Sequence, residues 1–258
     1  MVKGFAEKIR KMKGKEKIVM LTAYDAIFSS YLNEAGTDII LVGDSLGNVW
    51  LGFKNTKPVT MEHMLHHTRA VARTNPEALV VGDMPFKSYE GPQQAVKNAR
   101  AFIEAGANAV KIEGPKIEIV EELKKNGIDV MGHVGLTPQT SDWKVQGRKD
   151  EEAKRILDDA IALDRAGCFS IVVESVPAVL GKKITNAVKA PTIGIGAGAD
   201  CDGQVLVSND LIGLNAADFK PKFVKQYLNL RPEIIAAFKR FKEEVKAGKF
   251  PTKEFSYE

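Results

Sequence analysis

Cysteine is scarce in this chain, and long apolar runs are missing. The 258 residues include two cysteines, Cys168 and Cys201, whose spacing fits neither a metal-binding motif nor a disulfide framework. Such sparse use of cysteine fits a reducing cytosol. No apolar run approaches the roughly 18 residues needed to cross a bilayer, and the basic residues 1–17 lack the apolar core of a signal peptide. We therefore expect a soluble, cytoplasmic protein with no membrane partner.

Charge of one sign is not concentrated anywhere in the sequence. The 37 Lys and Arg residues and 33 Asp and Glu residues are mixed along the chain, and the formal net charge is +4. A nucleic-acid-binding protein usually carries a basic stripe or patch. The composition therefore excludes nucleic acid as an expected partner and is compatible with small anionic ligands.

Linkers rich in proline, serine or glycine are also missing, which argues against separate domains. A chain of this length could hold two small domains or one α/β barrel of ordinary size. Strand-like apolar runs alternate with helical segments. Eight such runs lie at 17–24, 39–42, 78–85, 107–114, 129–136, 169–175, 190–198 and, more weakly, 204–207. We predict one domain over 1–258, with a basic lead-in at 1–16 and a C-terminal helix and tail at 230–258.

The alternation favours a closed (β/α)8 TIM barrel over its competitor, a doubly wound open sheet. The first strand is not followed by the G-x-G-x-x-G motif of many open sheets that bind dinucleotides. Carboxylates also follow several consecutive strands, whereas an open sheet tends to gather its site at one switch point. A barrel brings all strand ends to a common mouth.

Capping residues predict the first two helices. Asp25 is a plausible N-cap of a helix that stops at Gly36, and Thr60 can cap a longer helix that runs to about residue 74. Three histidines lie on that second helix at positions i, i+3 and i+4: His63, His66 and His67. Their spacing could suggest a metal site. Because the helix lies outside the rim of strand ends, we favour a surface or packing role.

Acidic residues follow several predicted strands at the point where each strand ends. In residues 39–47, four branched apolar residues are followed by a small polar cluster that contains Asp44. Asp44 alone could simply cap a turn. The pattern recurs at three later strand ends: Asp83, Glu113 and Glu174. In a barrel these carboxylates would meet at the mouth, with Lys111 and His133 beside them.

Four carboxylates that face one cavity repel each other unless a cation or protons intervene. Oxygen ligands without thiolates suit Mg²⁺, with Mn²⁺ or Co²⁺ as substitutes. A cation held by two carboxylates could chelate an α-keto acid through its ketone and carboxylate oxygens and make the neighbouring C–H more acidic. A further carboxylate would remain free as general base. Alternatively, the rim carboxylates could be solvated or paired with basic residues.

Eight short motifs carry a family resemblance. They lie at 17–25 (KIVMLTAYD), 41–47 (LVGDSLG), 58–60 (PVT), 82–86 (GDMPF), 110–114 (VKIEG), 132–139 (GHVGLTPQ), 144–148 (KVQGR) and 193–198 (IGIGAG). In this order they resemble the ketopantoate hydroxymethyltransferases, also called 3-methyl-2-oxobutanoate hydroxymethyltransferases. The resemblance extends over roughly residues 15–215.

The resemblance implies a TIM barrel of the phosphoenolpyruvate/pyruvate type, assembled as a homo-oligomer that is commonly a decamer. It implies an enzyme of pantothenate synthesis that transfers a hydroxymethyl group from 5,10-methylenetetrahydrofolate to 3-methyl-2-oxobutanoate. The product would be 2-dehydropantoate, formed through an Mg²⁺-stabilised enolate. How the folate is held is not indicated by the sequence, which contains no phosphate-cradling P-loop.

The resemblance also implies roles for individual residues. The metal site matches three residues: Asp44, Asp83 and Glu113. The keto-acid site matches four residues: Asp44, Ser45, Asp83 and Lys111. Glu174 matches the proton acceptor, and we assign His133 a supporting role near the site.

Two other hypotheses remain open. A related Mg²⁺-dependent enzyme on the same barrel could make or break C–C or P–C bonds of α-keto acids without folate. The motifs at 137–139 and 144–147 favour the transferase instead. A catalytically silent barrel that serves only in assembly is disfavoured, because every acidic position that matches the family motifs is retained.

The segment after the fifth strand departs from the family pattern. Relatives usually carry a longer insert with paired glycines and an aromatic residue, whereas only residues 140–143 separate the two motifs here. Trp143 is a candidate replacement for the missing aromatic residue. Such a loop overhangs the mouth of a barrel, where loops close over substrate and exclude water. We hypothesise that the short loop weakens the folate-dependent step and leaves keto-acid enolisation intact.

Overall fold

Eight parallel strands form a closed barrel in the computed structural model, which describes residues 4–141, 144–215 and 221–257. The strands are β1 Ile18–Thr22, β2 Ile39–Val42, β3 Leu79–Asp83, β4 Ala109–Lys111, β5 Asp129–Gly135, β6 Ser170–Glu174, β7 Thr192–Ile195 and β8 Gly203–Leu206. Each strand pairs with the next in chain order, and β8 closes on β1, where Gly203 lies opposite Ile18. The predicted barrel is confirmed; β2 and β8 are as long as their predicted apolar runs, and the other six strands are shorter.

Helices connect the strands and flank the barrel. They are α1 Phe5–Met12, α2 Ala26–Glu34, α3 Leu46–Val49, α4 Met61–Ala72, α5 Pro92–Glu104, α6 Ile117–Lys125, α7 Asp150–Ala166, α8 Ala178–Ala187, α9 Ser208–Leu211 and α10 Leu230–Lys246, with a 3-10 turn at Lys253–Phe255. The predicted caps are confirmed: Asp25 accepts a hydrogen bond from the backbone N–H of Phe28 (2.8 Å), and Thr60 accepts one from that of His63. In the part of the chain that the structure describes, no helix is long and apolar enough to cross a membrane.

The histidines of α4 have local partners. The His63 Nδ1 atom accepts from the backbone N–H of Thr60, which completes a capping box. The His67 Nδ1 atom lies 2.6 Å from the backbone oxygen of Tyr24. For His63 and His67 these contacts support the surface or packing role that we favoured.

Alternation along the strands divides the apolar core into two layers. Ile39 and Leu41 of β2 point into the barrel, where they belong to one cluster of buried side chains, whereas Ile40 and Val42 point outward. The outward side chains pack in the cluster that includes the surrounding helices. Because successive side chains of a strand alternate between faces, the register of each strand decides which polar residues face the barrel axis.

Helix α1 covers the amino-terminal ends of the strands, although the sequence indicated only a basic lead-in there. Its apolar face belongs to the cluster inside the barrel. The Lys13 ammonium, which follows α1, lies 2.8 Å from the Asp202 carboxylate and donates to the backbone oxygens of Thr185 and Ala190. Arg10 donates to the backbone oxygen of Cys168. These partners precede or flank β6 to β8, so α1 closes the end opposite the predicted site.

The chain divides into two compact units, residues 1–207 and residues 208–258. The first unit contains the barrel. The second contains α9, α10 and the 3-10 turn, and its helix α10 exposes large apolar side chains. Four of these are Ile235, Phe238, Phe241 and Val245. The predicted single domain over 1–258 stays a prediction.

Candidate active site

The carboxyl end of the barrel gathers the predicted polar residues. Asp83 shares the inward face of β3 with Leu79 and Val81, because it is separated from them by even numbers of residues. Lys111 ends β4, His133 lies in β5, and Glu174 ends β6. All six predicted charged positions are buried, with at most 8% of each residue exposed: Asp44, Asp83, Lys111, Glu113, His133 and Glu174.

Lys111 and Asp83 form a buried ion pair at the centre of this cluster. The Lys111 Nζ atom lies 2.8 Å from Asp83 Oδ1 and 2.9 Å from Asp83 Oδ2. The backbone N–H of Asp44 also donates to Asp83 Oδ2 over 3.2 Å. This contact brings the end of β2 against the end of β3, so that the two aspartates predicted as metal ligands are neighbours.

His133 lies between two carboxylates on the other side of the cluster. Its Nε2 atom is 3.1 Å from Glu174 Oε2, and its Nδ1 atom is 3.6 Å from Glu113 Oε1. Neither ring nitrogen makes an aligned hydrogen bond to another residue that the structure describes. The imidazole lies within ion-pair distance of both carboxylates, and it links the proposed base to the proposed metal-site glutamate.

Backbone geometry brings Glu174 close to the end of β5. Gly135 lies opposite Glu174 in the ladder and has a φ of +92°. A Cβ atom at Gly135 would collide with the backbone oxygen of Glu174, so this close approach requires glycine. Ser175, which follows Glu174, adopts a left-handed conformation with a φ of +49°. Its N–H donates to the backbone oxygen of Ile195 over 2.8 Å.

Burial and mutual repulsion oppose the ionisation of the aspartates. Removal from water, followed by the charge of Asp83, raises the pKa of Asp44 to about 8. Burial also raises the pKa of Asp83, although the Lys111 charge acts against this effect. The pKa of Glu113 is lowered, because the neighbouring His133 and Lys111 outweigh its desolvation. The first unit thus holds two aspartates whose negative charges are incompletely balanced.

The two bases show the opposite response to the same surroundings. Burial lowers the pKa of Lys111, but the adjacent carboxylates outweigh this effect and hold the pKa above its usual value. Burial and Lys111 likewise oppose protonation of His133, yet Glu113 and Glu174 raise the pKa of His133 to about 9. With all these groups ionised, four acidic groups face two basic ones, which leaves two negative charges uncompensated.

This charge deficit fits a divalent cation at Asp44 and Asp83. Among the described residues, no group of three or more His, Cys, Asp and Glu side chains is already arranged around a metal position. Mg²⁺ does not require such a cage, because it usually binds one or two carboxylates and completes its coordination with water and substrate oxygens. Both Asp83 oxygens contact Lys111, and Glu113 is engaged elsewhere. The three predicted metal residues are brought together, but their ligation stays a prediction.

Sequence reasoning missed Gln139 and Tyr89 as members of the site. Gln139 is 1% exposed, and its Nε2 atom donates to Asp44 Oδ2 (2.9 Å) and to the backbone oxygen of Met84 (3.0 Å). The Tyr89 hydroxyl donates to Gln139 Oε1 over 2.5 Å. The motif at 137–139 marked Gln139 as a family feature, but nothing in the sequence indicated these contacts.

Ser45 lies beside Asp44 and contacts a second tyrosine. Its Oγ atom is 2.9 Å from the hydroxyl of Tyr24, which follows β1. Ser45 is thus held at the mouth by the end of a neighbouring strand. Trp143, the candidate aromatic residue of the short loop, lies outside the described residues.

The fold and the site at its carboxyl end define a (β/α)8 TIM-barrel protein, and solved TIM barrels are similar to it. A phosphoenolpyruvate phosphomutase from Streptomyces platensis subsp. rosaceus superimposes with a TM-score of 0.65 at 14% identity, over 95% of this chain and 88% of that one. A 2,3-dimethylmalate lyase, a member of the PEP mutase/isocitrate lyase superfamily, superimposes with a TM-score of 0.63 at 14% identity, over 98% of this chain and 91% of the lyase. A phosphonopyruvate hydrolase solved with oxalate and Mg²⁺ superimposes with a TM-score of 0.64 at 12% identity, over 97% of this chain and 93% of the hydrolase. At these identities the likeness concerns the fold.

The sequence relationship is more specific. The chain belongs to the ketopantoate hydroxymethyltransferase family, whose model matches residues 4–253. It is 53% identical to the 3-methyl-2-oxobutanoate hydroxymethyltransferase of Thermotoga maritima, over 97% of this chain and 95% of that protein. It is 54% identical to the enzyme of the same name from Syntrophus aciditrophicus, over 96% of this chain and 94% of that enzyme. The family predicted from the motifs is confirmed.

Proposed function

We propose that this protein transfers a hydroxymethyl group from 5,10-methylenetetrahydrofolate to 3-methyl-2-oxobutanoate and releases 2-dehydropantoate. The names of the relatives support the reaction. The observation that carries the proposal is the buried cluster in which carboxylates from β2, β3, β4 and β6 surround Lys111 and His133. This arrangement suits proton abstraction beside a ketone, the step that must precede formation of the new C–C bond.

In this proposal Glu174 is the general base. Its carboxylate removes the proton from C3 of the keto acid, and the resulting carbanion attacks the methylene carbon of the folate. The bonds between that carbon and the folate nitrogens break, water supplies the hydroxyl oxygen of the product, and tetrahydrofolate leaves with the protons. His133, whose Nε2 atom lies 3.1 Å from Glu174 Oε2, holds the carboxylate in place. A positioned base of this kind typically contributes about 10² to 10⁴ in rate.

The opposite side of the cluster would hold the keto acid. Lys111 and Ser45 offer an ammonium group and a hydroxyl group to the substrate oxygens, and the pairing of Lys111 with Asp83 fixes the direction of the ammonium. Asp44 and Asp83 would hold Mg²⁺, with Glu113 nearby, and Mn²⁺ or Co²⁺ could substitute. Bound there, the cation would polarise the ketone and make the C3 hydrogen more acidic.

We further propose that the enzyme is cytoplasmic and works as a homo-oligomer, a decamer by family resemblance. The exposed apolar side chains of α10 support assembly, because a single chain would leave them in water. Sedimentation velocity on the purified protein tests this point. A monomer at micromolar concentration would contradict it.

The direct test supplies both substrates and Mg²⁺ and detects 2-dehydropantoate by mass spectrometry. We expect product that depends on enzyme, folate and metal. Parallel assays with phosphonopyruvate or 2,3-dimethylmalate, without folate, examine the reactions suggested by the barrel type. Turnover of one of these compounds and none of 3-methyl-2-oxobutanoate would replace the proposal.

A further inference from the structure

Gln139 connects three strand ends through hydrogen bonds from a single residue. Its side-chain N–H groups reach Asp44 after β2 and the backbone oxygen of Met84 after β3. Its backbone N–H donates to Glu113 Oε2, after β4, over 3.1 Å. Gln139 itself belongs to the loop that follows β5. One buried residue therefore ties this loop to two of the three proposed metal-site carboxylates.

The orientation of the Gln139 amide is fixed by its partners. A backbone oxygen can only accept, so the atom that faces Met84 must be the nitrogen. The amide oxygen then faces the Tyr89 hydroxyl, which donates to it and accepts from the backbone N–H of Glu113 over 3.3 Å. With this orientation the second amide hydrogen points at Asp44 Oδ2. Tyr89 thus holds the amide in the direction that lets it act on Asp44.

Hydrogen bonding to Asp44 leaves a defined part of the carboxylate for other ligands. Asp44 Oδ2 accepts from Gln139, and the backbone N–H of Asp44 is committed to Asp83. The first bond orients the carboxylate, and the second holds the backbone that carries it. Outer partners that orient a metal ligand typically change metal affinity by about 10- to 100-fold when they are removed.

We propose that Gln139 is a positioning residue that orients Asp44 and Glu113 for the divalent cation, with Tyr89 as its support. The inference rests on the metal site of the proposed function. In this proposal the beginning of the loop that follows β5 belongs to the metal site. The remainder of the loop can then contribute to the folate-dependent step.

The test measures Mn²⁺ affinity of the full-length protein by electron paramagnetic resonance, without substrates. Gln139→Met keeps the length of the side chain but removes the amide donors to Asp44 and Met84, while the backbone N–H to Glu113 remains. We expect Mn²⁺ affinity about 10- to 100-fold lower than in the wild type. The matched control is Gln146→Met in the same loop, because the buried Gln146 amide donates to the backbone oxygen of Lys144. We expect the control to bind Mn²⁺ with an affinity within about twofold of the wild type, because substitutions at sites that share no partners usually influence each other by no more than this.

Tyr89→Phe tests the support separately and guards against failure of Gln139→Met to fold. It should weaken Mn²⁺ binding severalfold, and it should add no further loss in the background of Gln139→Met. Wild-type affinity in Gln139→Met overturns the inference, as does wild-type affinity in Tyr89→Phe if Gln139→Met does not fold. An equal loss in Gln146→Met also overturns it, because the effect would then belong to the loop as a whole.

Asp44→Ala separates this inference from the metal site itself. If the wild type and Asp44→Ala bind Mn²⁺ equally, the proposed metal site is wrong and the role of Gln139 fails with it. If Asp44→Ala loses binding while Gln139→Met retains it, the metal site stands and only the role of Gln139 is overturned.

Discussion

Glu174 owes its proposed role to its neighbours as much as to its own carboxylate. The glycine at position 135 admits its backbone, and His133 lies within 3.1 Å of its side chain. Both residues belong to β5, so the strand before Glu174 determines where the base can stand. A carboxylate held so close to an imidazole is restricted in direction, which is what proton abstraction from a single carbon requires.

Glu174→Gln should slow enolisation while the barrel stays folded. The amide keeps the shape of the side chain but cannot accept the proton, so we expect a loss of about 10² to 10⁴ in rate. The measurement is exchange of the C3 hydrogen of 3-methyl-2-oxobutanoate for deuterium by NMR, with Mg²⁺ and no folate. Exchange at the wild-type rate would move the base elsewhere, with Glu113 and His133 as the next candidates.

Asp44→Ala and Asp83→Ala should both abolish tight Mg²⁺ binding and turnover. Asp44→Ala removes one of two repelling carboxylates and should leave the barrel folded. Asp83→Ala leaves Lys111 without its ion-pair partner, and removal of one member of a buried pair costs about 3 to 5 kcal/mol. Calorimetric titration with Mg²⁺, beside a thermal unfolding curve, distinguishes these effects. Full activity of either variant at modest Mg²⁺ would show that the ligands are misassigned.

The sequence predicted which charged residues meet, because each stands at or just beyond a strand end. The alternation of side chains then directs Asp83 into the barrel. Gln139 could not be found in this way. Its partner Asp44 is 95 positions away in the chain, and the contact depends on the path of an irregular loop. No periodic pattern describes such a path.

At the scale of the elements, strands were predicted better than the segments that cover their ends. Buried parallel strands are continuous apolar runs, which makes them easy to recognise. Helix α1 has only three buried side chains, those of Ala6, Ile9 and Met12. Because charged residues surround them in the sequence, the segment resembled a basic tail. Its place in the fold becomes evident only when the barrel end that it covers is known.

The short loop after β5 yields a prediction about folate. An insert containing glycine after Ser141 should lower the apparent KM for 5,10-methylenetetrahydrofolate, because a longer loop can close further over the mouth. The insert leaves Gln139 in place, so the deuterium-exchange rate of the keto acid should not change. An insert of the same length at the exposed Gly248 is the control. If the loop insert slows exchange as strongly as condensation, this part of the loop serves the metal site and the hypothesis fails.

For the whole molecule, the contacts of Lys13 and the proposed active site lie at opposite ends of the barrel. The Lys13 ammonium contacts Asp202 and two backbone oxygens where the strands begin, whereas the charged cluster lies where they end. A substitution at one end can therefore alter the free energy of unfolding without a change at the other. Many enzymes separate the two functions of their barrel in this way.

Lys13→Met should destabilise the protein without slowing it. Loss of the ammonium removes its bonds to three partly buried oxygens, and we expect a decrease of about 1 to 3 kcal/mol in the free energy of unfolding. Lys11→Met is the matched control, since Lys11 lies two positions before Lys13, in the last turn of α1, with an exposed ion pair. We expect a decrease of about 0.5 kcal/mol or less. Denaturant unfolding and turnover at 25 °C are the measurements. Equal stability of the two variants, or a loss of turnover in folded Lys13→Met, would contradict the prediction.

A ribosome makes the beginning of this barrel long before it makes the end. The partners Lys13 and Asp202 are 189 positions apart, which at about 5 to 20 residues per second separates their synthesis by about 10 to 40 seconds. Throughout that time β1 lacks β8, and its free backbone edge can pair with a neighbouring chain. The buried cluster that includes the apolar face of α1 is completed only when Val205 of β8 is made. Several incomplete chains on one polysome would expose such edges close to one another. We therefore expect slower translation initiation to improve the yield of folded protein more than a substitution that increases the stability of the complete barrel.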